Sequence, residues 1–138
     1  MTRINVVPVE ELSDQHLIAE YRELPRCIKQ NFNLQNAPKN YILGMGHMKW
    51  AASHPSFLLD RYCNLCDEMY WRGFQVNYTY ADLALLAAKL GKIFNKYSNY
   101  EIKEKDIELN KERLLEKYKL KPNFYKWTNR KKPKYYTY

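Results

Sequence analysis

The chain is short of what most non-helical architectures require. Four glycines in 138 residues are too few for the many tight turns of a β-sandwich or barrel. Three cysteines make an odd count, which points to a reducing compartment rather than a disulfide framework. Cys63 and Cys66 have C-x-x-C spacing, but no second pair accompanies them. Both fall on the apolar side of a predicted helix, where cysteine behaves as a small hydrophobe rather than a zinc or redox ligand. No apolar run approaches the roughly 20 residues needed to cross a bilayer, and no signal peptide is recognisable, so a cytoplasmic protein without membrane contact is expected. Gly44-Met45-Gly46-His47 is too brief for a phosphate loop of known type and reads as a tight turn. There is no internal repeat. The most informative absence is local: from Lys117 to Tyr138 there is no Asp or Glu.

That same stretch holds eight of the 23 Lys and Arg residues, and the rest of the chain balances 15 cations against 15 carboxylates. The whole excess of +8 is therefore C-terminal, an electrostatic handle for a polyanion whose binding would depend strongly on salt. Tyr118, Phe124, Tyr125, Trp127, Tyr135, Tyr136 and Tyr138 are interleaved with the cations. Cations alternating with aromatics suit backbone neutralisation combined with stacking on bases or insertion at a kink. The alternative for Phe124 and Trp127 is packing on the helices as core.

A hydrophobic content of 46% supplies one core, so a single all-α domain is expected: a small compact helical bundle carrying the basic aromatic tail. Ser13 is a candidate N-cap for a first helix, with Asp14 favourable in its first turn. Pro25 predicts a kink or early break near its end. A second helix is predicted from Ser56 to Arg72, with Leu58, Tyr62, Leu65 and Met69 on one stripe and Gly73 as its stop. Thr79 caps a third over Tyr80 to Asn95, where Leu83, Leu85, Leu86 and Leu90 would supply apolar contact, and a fourth runs from Lys105 to Tyr118. The polar residues from Cys27 to Asn40 read as a loop.

Within the first helix, helical spacing puts Leu17, Tyr21, Leu24 and Ile28 on one face and Ala19, Arg22, Glu23 and Arg26 on the other. The second face is either solvated, with a helical ion pair, or a platform where small Ala19 lets a bulky anion approach two guanidiniums suited to phosphate. Between those arginines Glu23 is expected to stay ionised and able to act as a base or to stabilise a developing cation. The amino terminus adds a second group. Thr2 is small enough to permit removal of Met1. The exposed α-amine, with an ordinary pKa of about 7.7 to 8.0, would be roughly a tenth neutral at pH 7, and Arg3 beside it favours the neutral form further.

MTRIN, LSDQHLIAEYRELPR, YILGMGH, WRGF and RLLEKYKLKPNFYKW together resemble the phage endonuclease V family of pyrimidine-dimer DNA glycosylases. The spacing from Thr2 through His16 and Glu23 to Arg26 matches without a gap. The resemblance implies that Thr2 is the nucleophile attacking the anomeric carbon of the sugar and Glu23 the catalytic carboxylate. It also implies that the resulting imine undergoes β-elimination to cut the strand, and that the base opposite the lesion is flipped. Arg3, Arg22 and Arg26 are assigned to the DNA backbone and His16 to a supporting role. The nucleic-acid-binding set continues through Arg113, Lys117, Lys121, Phe124, Tyr125, Lys126, Trp127 and Arg130. Phe124 stands where the family has tryptophan, the 28–40 loop is shorter than usual, and 77–99 departs from the family pattern. The turn before His47 has room to shape the site near Thr2. No metal or other cofactor is expected, because the covalent cation replaces a Lewis acid. The expected partner is lesion-containing double-stranded DNA, bound by a monomer. The alternatives are the same mechanism retargeted to another lesion, an abasic site or another nucleic acid, and a non-catalytic DNA-binding protein.

Overall fold

The computed structural model describes residues 3–92 and 95–136. Among these residues the secondary structure is helical, with no strand. Helix α1 (Asp14–Glu23) starts at Ser13, whose Oγ accepts the His16 amide at 3.1 Å. Its Leu17 and Tyr21, followed by Leu24 and Ile28, are all buried, so the predicted apolar face is the core face. Pro25 breaks the helix as expected, but the chain resumes as α2 (Pro25–Lys29) with proline in its first turn. There the missing N–H is one that the helix would leave unpaired in any case. The predicted loop therefore begins at Gln30 rather than Cys27. After it, α3 (His47–Ala52) is a short helix that the sequence reading did not anticipate.

Helix α4 (Pro55–Trp71) is the central strut, with Leu58, Tyr62, Leu65 and Met69 buried as predicted, and it packs on α1 and α3. Thr79 caps α5 (Tyr80–Lys89) through a reciprocal box with Asp82, the two bonds measuring 3.2 and 2.8 Å. This helix ends well before Asn95, and only one side of it faces α4. Leu83 is buried, whereas Leu85 is 58% and Leu90 45% exposed, so the broad apolar face expected of α5 is a narrow one. Helix α6 (Glu104–Leu120) overruns its predicted ends by one residue and two. Cys63 and Cys66 are half-buried free thiols on α4, and burial pushes Cys66 up to about 11.

The segment 3–7 is threaded between α1, α4 and α6 on a buried polar network. Asn110 Oδ1, from α6, accepts the amides of Val6 and Val7 at 2.9 and 3.1 Å, and its Nδ2 donates to Asn5 Oδ1 at 2.8 Å. Asn5 Nδ2 donates to Glu20 Oε1 on α1 at 2.9 Å. Arg61 of α4 completes the network, with Nε and Nη2 on the Glu20 carboxylate at 2.7 and 3.1 Å and Nη1 on the Val7 carbonyl at 2.6 Å. Backbone groups that no helix can serve are thereby paired, as burial demands. A second tie lies one residue upstream. His47 Nε2 accepts the Ile4 amide at 2.9 Å, which leaves the imidazole proton on Nδ1 to be donated to the Ile42 carbonyl at 2.7 Å. Burial lowers the His47 pKa to about 4, against the opposing pull of the Ile42 bond.

Two stability measurements follow. The Glu20 side chain is fully buried against Arg61. Glu20→Gln therefore leaves a guanidinium uncompensated and is expected to cost about 3–5 kcal/mol in urea unfolding, with partial recovery in Glu20→Gln/Arg61→Met. His47 titrates lower in the folded state, about 4, than in the unfolded chain, about 6.5. Its contribution to stability is complete above the unfolded value and declines as pH falls toward 4, by up to about 3 kcal/mol. Urea midpoints at pH 7 and pH 4.5 are expected to show this decline, and His47→Gln, whose amide can reproduce both bonds, is expected to flatten it.

Candidate nucleic-acid site

Three elements meet in a cleft of about 190 Å³. The threaded segment contributes Arg3 and Asn5, α1 contributes His16, Ala19, Glu20 and Glu23, and α6 contributes Arg113, Leu114 and Lys117. The polar network that fixes 3–7 thus forms the floor of the cleft, and Arg3, Glu23, Arg113 and Lys117 stand around its walls. Ala19 is exposed and keeps the opening between the cations free of bulk.

Burial lowers the pKa of Arg3 and of Arg113. In Arg113 the Arg3 charge adds to the effect of burial, while in Arg3 the Tyr41 and Glu23 side chains act in the opposite direction. Both remain cationic, since guanidinium does not deprotonate in proteins. With Glu20 paired to Arg61, Arg3, Arg113 and Lys117 outnumber Glu23 and leave the cleft with a net positive charge that a phosphate chain would neutralise.

His16 stands at the edge of this cluster. Its Nδ1 lies 2.9 Å from Ser13 Oγ, and its ring stacks on Tyr125 at 4.8 Å and 8°. Burial, followed by the charges of Arg113 and Lys117, lowers its pKa to about 4. The ring is therefore neutral at pH 7. Its bond to Ser13 and its stack on Tyr125 join the start of α1 to the C-terminal segment.

Arg22 and Arg26 are exposed on the same side of the first two helices as Ala19 but do not line the cleft. Arg22 borders a neighbouring depression of about 330 Å³ with Tyr21, Pro25, Lys29, Tyr62, Asn77 and Tyr78, where the Lys29 ammonium lies 5.0 Å from the Tyr78 ring. Thr2 lies outside the described residues.

The segment after α6 folds back on the start of α1. Lys126 accepts the Asp14 amide at 2.7 Å and donates its own to Gln15 Oε1 at 3.0 Å, while the Trp127 indole donates to the Glu11 carbonyl at 2.9 Å. Asp14 accepts both the amide and the hydroxyl of Thr128, and also Arg72 at 2.9 Å. Arg130 grips Glu68 with two bonds of 2.9 and 2.8 Å and lies 3.8 Å over the Trp71 ring. Burial would raise the Glu68 pKa, but the Arg130 and Arg72 guanidiniums outweigh it and hold the carboxylate below its ordinary range. The predicted tail residues therefore divide into two groups. Trp127 and Arg130 have internal partners that fasten the tail. Lys121, Phe124 and the Lys126 side chain are exposed beyond the end of α6, with Lys121 5.8 Å from the Phe124 ring. Tyr138 lies outside the described residues.

Sequence reasoning did not find Asn5, Glu20, Arg61, Asn110 or the anchoring role of His47. Glu20 alone carried a visible signal. It falls three residues after Leu17 and four before Leu24, on the stripe otherwise given to the core, where a carboxylate requires a buried partner.

Residues 1–82 match the family described as pyrimidine dimer DNA glycosylase. The matched region includes Arg3, His16, Arg22, Glu23 and Arg26 and stops within α5, so Arg113, Leu114 and Lys117 complete the cleft from outside it. The match covers more than half of the 138 residues, and this chain belongs to the pyrimidine dimer DNA glycosylase family.

Proposed function

We propose that the protein breaks a glycosidic bond of a pyrimidine dimer in duplex DNA and cuts the strand at the same site, using the Thr2 α-amine as nucleophile. The observation that carries this reading is the cleft in which Arg3, bonded in sequence to Thr2, stands with Glu23, Arg113 and Lys117. Its chemistry suits the reaction at each stage. Arg3, Arg113 and Lys117 would hold the phosphates on either side of the lesion, with Arg22 and Arg26 extending the contact along the backbone. The Glu23 carboxylate stabilises positive charge developing on the sugar as the glycosidic bond lengthens. The neutral amine then forms a bond to C1′ as the glycosidic bond breaks, its electrons going to the base, which stays joined to its dimer partner. One amine proton passes to that base and the other to the ring oxygen as the ring opens to an imine between Thr2 and the sugar.

Protonated, that imine acidifies the C2′ hydrogen. Glu23, or a water that it orients, removes the proton, and the C3′–O bond breaks with the phosphate as leaving group. The iminium serves as the electron sink, so the sequence of steps needs no metal. The sugar of a base-paired nucleotide is hidden in the duplex. The protein is therefore expected to bend the DNA and extrude a nucleotide, at a cost of a few kcal/mol that the weakened pairing at a lesion reduces.

Borohydride reduction during incubation with a dimer-containing duplex is expected to trap a covalent adduct on the peptide beginning at Thr2. An uncleaved N-terminal extension is expected to abolish the adduct, and an undiminished adduct in the extended protein would reject the amine. Comparison with an abasic duplex separates dimer recognition from a lyase directed at abasic sites. Glu23→Gln is expected to bind the dimer duplex while losing strand cleavage by about 10²- to 10⁴-fold, the range for a positioned acid–base group. Equal cleavage by that variant would remove Glu23 from the mechanism.

A further inference from the structure

Met45 is 97% exposed, more than any other large apolar side chain among the described residues. It stands at the tip of a turn between two glycines in the left-handed region, Gly44 at φ +77° and Gly46 at φ +94°. This is backbone that side-chain-bearing residues adopt only at a cost. The turn is also firmly held. The His47 amide donates to the Gly44 carbonyl at 3.1 Å, the Trp50 amide to Gly46 at 2.9 Å, and Gly46 lies so close to Pro38 that an added Cβ would come within 3.2 Å of its ring. A flexible loop would let a methionine fold down onto the surface. This one keeps it projecting.

Two ties locate the tip relative to the cleft. His47, two residues after Met45, binds the amide of Ile4, the neighbour of Arg3. Met48, three residues after it, has its sulfur 3.9 Å from that of Cys27, the neighbour of Arg26. The turn therefore lies between the segment that carries Arg3 and the helix that carries Arg26. The stretch of chain that contains the turn has a charge of one sign. From Leu24 to Leu59 the chain has no Asp or Glu, but it has Arg26, Lys29, Lys39 and Lys49.

An apolar side chain held out on a rigid support, in a stretch of chain without carboxylates, matches the wedges with which proteins part stacked bases. Methionine is suited to the task, being unbranched, polarisable and able to fill an irregular gap. We propose that Met45 is inserted between base steps of the duplex beside the lesion, where it helps to hold the unstacked conformation that exposes the sugar. It is a positioning residue for the proposed cleavage reaction and rests on that reading.

The test compares wild type, Met45→Ala and Met45→Leu on two substrates, a dimer-containing duplex with 2-aminopurine opposite the lesion and a single-stranded abasic oligonucleotide. The duplex must be unstacked before it reacts, whereas the single strand has no duplex to open. Met45→Ala is expected to lower the ratio of duplex to single-strand cleavage by about tenfold or more, and to lower the 2-aminopurine fluorescence gain in parallel. Met45→Leu is expected to restore most of both. An alanine variant whose ratio stays within about twofold of wild type, or one that loses both activities equally, overturns the wedge while leaving the amine mechanism standing. A wild-type protein that cleaves neither substrate and traps on neither overturns the parent reading, and the wedge with it.

Discussion

The carboxylate of Glu20 is the group on which the site depends. It is buried on α1, paired with Arg61 of α4, and hydrogen-bonded to Asn5 in the segment that leads to the amino terminus. A buried ion pair is a poor source of net stability compared with hydrophobic residues of the same volume. What this one supplies is position. An extended segment inside a helical protein has no neighbouring strand to satisfy it. Here the carboxylate, Asn110 and Arg61 take that part, fixing residues 5–7 from three helices at once. Arg3 is presented to the cleft by that segment, so the placement of its charge depends on bonds made several residues away.

Outside that centre, the cations of the chain divide between fastening and display. Arg61, Arg72 and Arg130 are occupied by carboxylates inside the molecule, and Arg72 and Arg130 share Glu68. Arg22, Arg26, Lys117, Lys121 and Lys126 are exposed. The division explains why the charge-rich tail does not stream away from the body. Its one arginine and its tryptophan have acceptors on α4 and just ahead of α1, which leaves Lys121 and Lys126 on the outside. The aromatic stack of Tyr125 on His16 belongs to the same closure, and the imidazole can stay neutral there because burial and two cations disfavour its protonation.

The helices were legible in the sequence wherever an apolar stripe had both a cap and a stop. Ser13 and Thr79 cap helices as their side chains predict, and the stripes on α1 and α4 are the buried ones. Pro25 signalled a break correctly but gave no sign that a helix would resume immediately. In α5 the leucines exceed what its packing can cover, and periodicity cannot show how much of an apolar face finds a neighbour. The site was legible only in part. Glu23, His16 and Ala19 share a helix and could be grouped by spacing, and their meeting with Arg3 in one cleft follows from the fold. Nothing local to Asn5 or Asn110 distinguishes them from surface asparagines. Their roles come from contacts spanning more than a hundred residues of chain, and short-range pattern carries no record of those.

That long span has a consequence for the order in which the protein comes into being on the ribosome. Asn110 is what closes the buried network around Val6 and Val7, and Thr128 is bound to Asp14 at the start of α1. A nascent chain that has displayed its first hundred residues holds the carboxylate and the leading arginine but lacks the parts that fix and charge the pocket. The pocket as a whole can therefore form only once α6 and the segment after it have been made.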